Sequence, residues 1–178
     1  MKRSSIVLGK ALGYAIIVAA YSALFAAAVL GVTSIAIGVK VPLDIRVLAL
    51  YAFHPLILLS VTMLGTTGLS TVANGVMTLM LYALSVMGGI LEQIGYFLGN
   101  DSLVNAGIVT SLIMPADSLY RKMVHYVLPG GESSLAAGFL GPFGSLGEPS
   151  VWMIAYAGLY VAGFLALAVR VFSRRDIG

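Results

Sequence analysis

The feature that most constrains this chain is an apolar run without a single charge, from Ala11 to Gly38. A helix needs about 20 mostly apolar residues to cross the hydrocarbon core of a bilayer, and this run is long enough to cross with some tilt. Hydrophobic residues make up 60% of the whole chain and charged residues 10%, whereas soluble domains are about 45–50% apolar and about 25% charged. The sequence therefore predicts a protein whose solvent is lipid.

Charged and proline-containing segments divide the rest of the chain into further apolar runs. Residues 39–47 (VKVPLDIRV) end the first run, and residues 65–75 (GTTGLSTVANG) are small and polar enough for a turn at the membrane surface. We predict an all-α, polytopic membrane protein with one transmembrane domain over residues 1–178. Its four transmembrane helices are expected at about 11–38, 48–69, 76–98 and 151–172.

The segment 99–150, on the outer side, differs from the spans. It combines charges and prolines with apolar stretches such as LVNAGIVTSLIM (103–114), which are too short to span. Such stretches are typical of re-entrant or interfacial helices. We predict short helices of this kind before the last span, broken at Pro115 and followed by Asp117, and a Gly-rich loop over 130–150.

The basic residues indicate the orientation. They gather at both ends of the chain, where MKRSSIVLGK (1–10) could lie as a short surface helix. Lys and Arg beside spans mark the cytoplasmic side, so we expect both termini in the cytoplasm and a multi-pass protein of the inner (plasma) membrane. Ten Lys and Arg scattered at helix ends form no basic face, which argues against a nucleic-acid partner.

The sequence carries no recognisable catalytic or cofactor-binding pattern. It has no phosphate-binding GxxxxGK[ST] loop, no HExxH, no GxSxG and no cysteine. Two distant histidines make a poor metal site. We therefore expect a non-enzymatic chain without catalytic residues, resident metal or cofactor.

Two ionisable residues interrupt the apolar runs. Glu92 lies in GGILEQIGYFLG, and His54 lies early in the second span. An acid inside the membrane is costly and often functional, but Glu92 could instead lie at the outer interface if the span ends near 88–89. His54 could be a neutral ring hydrogen-bonded to a neighbouring helix. Both remain candidates for an intramembrane polar site or a translocation path.

The order of four motifs resembles the type-2 ABC transporter permease family. SSIVLGKALGY is similar to the exit of the family's cytosolic coupling helix, and GGILEQIGYFLGN followed by SLIMPADSLYRK is similar to its re-entrant segment. A Gly-rich outer loop then leads to the last span, and VFSRRDIG is similar to the common family ending. The resemblance covers nearly the whole chain but leaves the family's first two spans without a counterpart. It implies a fragment, a late-start product or half of a split permease.

The resemblance implies the membrane subunit of an ATP-driven exporter. Such a subunit forms the translocation path with a second permease subunit, as a homodimer or heterodimer, and docks on a cytosolic ABC ATPase subunit that hydrolyses ATP. The expected ATPase contact comprises Lys2, Arg3, Ser4, Ser5 and Lys10. These residues could equally serve only as a positive-inside anchor. The nearly uncharged spans suggest an apolar or amphipathic cargo.

Two other functions fit the same composition. One is a small autonomous membrane accessory protein without an ATPase partner. The other is a secondary transporter driven by protons through Glu92 or His54, although ion-coupled carriers generally need several buried ionisable groups.

The topology can be tested directly. Four spans place Gly131, which precedes the last span, and Gly178, which follows it, on opposite sides of the membrane. Reporter fusions at the two positions should therefore give opposite responses, with Gly178 cytoplasmic. Equal responses at the two positions would rule out this topology.

Overall fold

A computed structural model describes residues 3–38, 44–127 and 150–174. All regular structure in these ranges is α-helical. The helices are α1 (Arg3–Ile37), α2 (Ile45–Gly65), α3 (Thr71–Leu98), α4 (Asp101–Ile113), α5 (Ala116–Val127) and α6 (Val151–Arg174).

Four of these helices, α1, α2, α3 and α6, are long and apolar enough to cross a membrane. Many of their large apolar side chains point outward, as on Ile16, Leu24 and Leu159, which are 68%, 72% and 73% exposed. In water such exposure would be costly, but in lipid it costs nothing. The predicted class, a polytopic helical membrane protein with four transmembrane helices, is thereby confirmed.

The short helices α4 and α5 form the predicted bent pair before the last span. The helix direction turns by 110° between them, at Met114 and Pro115, because proline disfavours helical geometry in the residue before it. A turn beyond a right angle sends α5 back relative to α4. The predicted Gly-rich loop over 130–150 lies outside the described residues, apart from Ser150.

The amino-terminal segment differs from expectation. The sequence predicts a surface helix over 1–10 followed by a separate span, but α1 runs without a break from Arg3 to Ile37. No proline or helix-capping residue separates the basic residues from the apolar run, so nothing ends the first helix. Ser4, Ser5 and Lys10 therefore belong to the same helix as the first span.

Short polar caps define the turns between helices. The side chain of Ser70 accepts a hydrogen bond from the Ala73 N–H and begins α3, so that the turn after α2 is confined to residues 66–70. Gly99 ends α3 with a φ of +63°, a conformation that glycine adopts without strain. The next residue, Asn100, caps α4 by accepting from the N–H groups of Ser102 and Leu103.

Glycines allow α3 and α4 to pack at close range. A Cβ atom at Gly107 of α4 would lie 2.5 Å from the backbone nitrogen of Glu92 and 2.6 Å from the carbonyl oxygen of Gly88. A Cβ atom at Gly95 of α3 would likewise lie only 2.6 Å from the backbone nitrogen of Val104 on α4. Small residues at helix contacts are the usual basis of close packing in membranes. Gly99, which forms a GxxxG sequence with Gly95, caps the end of α3 and takes no part in this contact.

The bend between α4 and α5 lies in the centre of the helix cluster. Met114 and Ala116 are completely buried and pack with Ile57 of α2 and Ala157 of α6. We call Met114–Ala116 the hairpin tip. A break in a helix exposes unpaired backbone groups, and these are tolerated at membrane depth only where protein surrounds them. The burial of the tip fulfils this condition.

Replacing Gly107 by alanine should loosen the contact between α3 and α4. The added methyl group meets backbone atoms of α3, which cannot rotate away, and overpacking of this kind costs about 1–3 kcal/mol. Gly163→Ala is the matched control, because a Cβ at Gly163 meets nothing within 4 Å. Thermal unfolding in detergent should show a lower midpoint for Gly107→Ala alone. Equal midpoints for the two variants would contradict the close contact.

Candidate functional site: a buried ion triad beside the hairpin tip

Three charged side chains meet where α5 crosses α3. The Arg121 guanidinium lies between two carboxylates, with Nη2 2.5 Å from Glu92 Oε2 and Nε 2.9 Å from Asp117 Oδ2. The charged side chains of Arg121, Glu92 and Asp117 are only 4%, 10% and 11% exposed. We call these residues the ion triad. The triad connects α3 to α5 through charged groups that are shielded from water.

Burial makes the triad interdependent. Removing a charge from water costs several kcal/mol, and a partner at hydrogen-bonding distance offsets that cost. Asp117 and Arg121 are four residues apart on α5, so they lie on one helix face and meet locally. Glu92 joins them from α3 and would be an isolated buried acid without Arg121. The pairing explains how Glu92 can lie within an apolar helix.

A second polar connection holds the hairpin tip. The hydroxyl of Ser85 on α3 donates to the carbonyl oxygen of Met114 at 2.5 Å and accepts from the Asp117 N–H at 3.2 Å. The residue before α5 is Pro115, which has no side-chain oxygen to cap the helix. Ser85 therefore supplies from another helix the cap that α5 lacks. It is completely buried.

Glycine makes room for the triad on α3. A Cβ atom at Gly89 would overlap the Asp117 carboxylate, so only glycine lets that carboxylate approach the helix. The neighbouring Gly88 packs against α4. A Cβ atom there would lie 3.0 Å from both the Gly107 carbonyl oxygen and the Ser111 backbone nitrogen. The Gly88–Gly89 pair thus accommodates both arms of the bent pair.

The other end of α5 is joined to α2 by an aromatic ring. Lys122, which is 2% exposed, has its Nζ 5.5 Å from the ring centroid of Tyr126. The Arg46 guanidinium, from the first turn of α2, lies 5.9 Å from the same centroid. Cations within about 6 Å of an aromatic face are attracted to it. Polar residues thus fill the buried face of α5, while Tyr120 is 39% exposed.

The structure separates the residues that the sequence singles out. Glu92 and Asp117 meet in the ion triad, and Pro115 lies in the hairpin tip. The helix α3 does not end near 88–89 but continues to Leu98, and Glu92 is buried against the protein; its position relative to the membrane interface stays a prediction. His54 is half-buried and lies edge-on to the Tyr82 ring of α3; a hydrogen bond from its ring to a neighbouring helix stays a prediction.

The expected ATPase contact lies apart from the triad, near the start of α1. Lys10 is exposed there, whereas Lys2 lies outside the described residues. Sequence reasoning did not identify Arg121 or Ser85 as site residues. Arg121 could have been identified from its charge, which is opposite to that of Asp117 four residues earlier. A serine within an apolar helix gives no comparable signal.

The described residues contain no group of three or more His, Asp or Glu side chains that could hold a metal ion. The ion triad has only two carboxylates, and both face Arg121. Its chemistry is therefore ionic attachment between helices.

The chain matches no protein-family model, no curated protein and no solved structure. The interpretation of its function therefore depends on the arrangement of its own residues.

Removing the cation should destabilise the whole arrangement. Arg121→Met leaves two buried carboxylates without a partner, and breaking a buried pair in this way costs about 3–5 kcal/mol. The double variant Glu92→Gln with Arg121→Met should be less destabilised than the sum of the single changes, because one stranded charge is removed as well. Unfolding in mixed micelles titrated with dodecyl sulfate measures these free energies.

Arg170→Met is the matched control for the triad, because Arg170 is exposed at the end of α6. Its unfolding free energy should lie within about 0.5 kcal/mol of the parent, as is usual for surface substitutions. Strict additivity of the Glu92 and Arg121 changes would show that the two side chains do not interact.

Proposed function

We propose that this chain is a permease subunit of an ATP-driven ABC exporter, located in the plasma membrane with both termini in the cytoplasm. It forms the translocation path together with a second permease subunit. ATP hydrolysis takes place in cytosolic ATPase subunits bound to the pair, and this chain contributes no catalytic residue.

The observation that carries the proposal is the bent pair held inside the helix cluster. The resemblance to type-2 permeases implies short re-entrant helices between the penultimate and last spans, and α4 and α5 occupy that place in the chain order. The residues that hold the pair belong to the motifs that carry the resemblance. Glu92 lies in GGILEQIGYFLGN, and Asp117 and Arg121 lie in SLIMPADSLYRK.

The electrostatics favour an ATP-driven subunit over a proton-coupled carrier. A proton carrier needs a buried acid that exchanges its proton with water during the cycle. Both buried acids of the triad lie within 2.9 Å of Arg121, so a proton arriving at either acid would have to displace an ion pair that joins two helices. His54 is the remaining candidate and lies against the Tyr82 ring, with the ring centroids 6.2 Å apart. This arrangement suits a fixed packing role.

The continuous α1 suggests how ATPase movement reaches the membrane. In the proposal the basic start of α1 contacts the ATPase, and the same helix packs against α2 and α6 within the bundle. A helix transmits displacement along its axis without a hinge when its hydrogen bonds are unbroken. Movement at Lys10 would then shift α1 against its neighbours directly.

Reversing the charge at the amino terminus should weaken the ATPase contact. Lys2→Glu with Arg3→Glu replaces two cations that would face the ATPase, and surface charges govern association and its salt dependence more than fold. We expect membrane insertion to be retained, co-purification with the ABC ATPase encoded nearest to this chain to fall, and ATP hydrolysis by the complex to decrease.

Arg174→Glu with Arg175→Glu is the matched control, because it makes the same change in charge at the other basic end. It should leave co-purification close to the parent. If the Lys2 and Arg3 variant binds and stimulates the ATPase like the parent, the segment is only a membrane anchor. If the parent itself fails to bind the ATPase, the proposed function is wrong.

A further inference from the structure

A groove opens between α1, α2 and α5 and consists of two adjoining chambers. The deep chamber, of about 290 Å³, is mostly apolar but includes side chains with polar groups, among them Tyr51, His54, Tyr120 and, from α3, Tyr82. The shallow chamber, of about 320 Å³, is lined almost wholly by apolar side chains. Tyr51, Tyr120 and Met123 line both chambers. Together they are of the size that small-molecule sites commonly have.

The groove runs along the direction in which the helices cross the membrane. Its shallow chamber reaches Val47 near the start of α2, and its deep chamber reaches Pro55 near the middle of that helix. At 1.5 Å of rise per residue these positions are about 12 Å apart. The tyrosine-containing chamber therefore lies beside the middle of α2, and the apolar chamber lies beside its start.

This polarity is the reverse of that of a membrane lipid. A phospholipid places its charged head at the surface and its acyl chains at depth. In the groove a lipid's head would lie against Val47 and Val127, and its chains would lie against the tyrosines and His54. An ordinary leaflet lipid is therefore a poor fit.

The deep chamber offers hydrogen bonds that the described part of the chain does not use. Within the described ranges no hydrogen bond engages the hydroxyls of Tyr51, Tyr82 or Tyr120. A tyrosine hydroxyl away from water usually has a partner. The three tyrosines line one chamber, so a single bound group could reach more than one of their hydroxyls.

The charge of the lining limits the bound molecule. Among the described residues, no Lys, Arg, Asp or Glu lines either chamber, and the described charged residues next to the deep chamber are engaged elsewhere. Arg121 holds Glu92 and Asp117, and Lys122 faces Tyr126. A charged head at this depth would lack a counter-ion, which is costly in a medium of low dielectric constant. The lining suits an uncharged, hydrogen-bonding head.

The groove is open to the side. Phe25 and Val29 on α1 line the shallow chamber and are 48% and 46% exposed. They face outward from the helix cluster, as lipid-facing residues do. A ligand dissolved in the bilayer could enter between α1 and α5 without passing through water.

We infer that the groove between α1, α2 and α5 binds an uncharged amphiphile, with its hydrogen-bonding head among Tyr51, His54 and Tyr82 and its apolar tail in the shallow chamber. The inference deepens the proposed function by naming the class of cargo. It rests on that function for the transport step, whereas binding itself needs no ATPase.

Photolabelling of the chain in lipid nanodiscs tests the inference. The probe is a twelve-carbon alcohol with a diazirine in its chain, and the comparison probe carries trimethylammonium in place of the hydroxyl. Peptides that contain Tyr51, Tyr120 or Met123 should be labelled by the alcohol at least several times more than by the ammonium probe. Excess dodecanol should abolish this labelling.

Two sets of variants separate binding in the groove from contact with surrounding lipid. Met123→Trp places a bulkier side chain where the two chambers meet and should strongly reduce the alcohol labelling, whereas Met80→Trp, at a position 64% exposed on α3, should not. The triple change of Tyr51, Tyr82 and Tyr120 to Phe keeps the cavity but removes its hydroxyls. It should weaken labelling about fivefold for each hydrogen bond lost, so the inference stays testable if Met123→Trp fails to fold.

Equal labelling by the two probes, or labelling that Met123→Trp and the triple change leave intact, would overturn the inference. Failure of the ligand inference and failure of the proposed function would give different results. Specific labelling without ATPase binding would leave a ligand site in a chain that is not an exporter subunit. ATPase binding without specific labelling would leave an exporter subunit whose cargo is of another class.

Discussion

The pairing of Arg121 with Glu92 and Asp117 is the interaction on which the rest of the arrangement depends. Lipid cannot hydrate a charge, so an acid within an apolar helix must find a cation within the protein. Here the cation comes from a different helix, and its position fixes where α5 can lie. Gly89, which admits the Asp117 carboxylate, and Ser85, which caps α5, both lie on α3 next to that one position. Packing around the hairpin tip then follows from the location of the charges.

The buried face of α5 is its polar face. In a soluble protein an amphipathic helix turns its apolar side inward because water surrounds the molecule. Lipid reverses this preference, and α5 turns Asp117, Arg121 and Lys122 toward the protein while Tyr120 faces outward. The reversal also leaves tyrosines, and no charges, beside the α1–α2–α5 groove. The chemistry of the triad and the neutrality of the groove are thus two results of one orientation.

The spans could be predicted from the sequence because they depend on local composition. Uncharged apolar runs predict the four long helices α1, α2, α3 and α6 but not the early start of α1 at Arg3, and Pro115 predicts the break between α4 and α5. The ion triad could not be predicted in the same way. Glu92 and Arg121 are 29 residues apart in sequence, and nothing in their spacing shows that α5 folds back onto α3. Ser85 was missed because its partners are backbone groups, which carry no sequence signal. The continuity of α1 was missed because basic residues were expected to form a separate helix at the surface.

The cap that Ser85 provides has a consequence for how the chain is inserted into the membrane. Synthesis from the amino terminus places α3 in the membrane before α5 exists, and Glu92 then has no cation until Arg121 emerges. During this interval the second half of α3 carries an uncompensated acid and resists full entry into the hydrocarbon. The hairpin tip, in turn, has no helix to cap it until α3 is in place. Full insertion of α3 and folding of the bent pair should therefore be completed together, since each depends on the other.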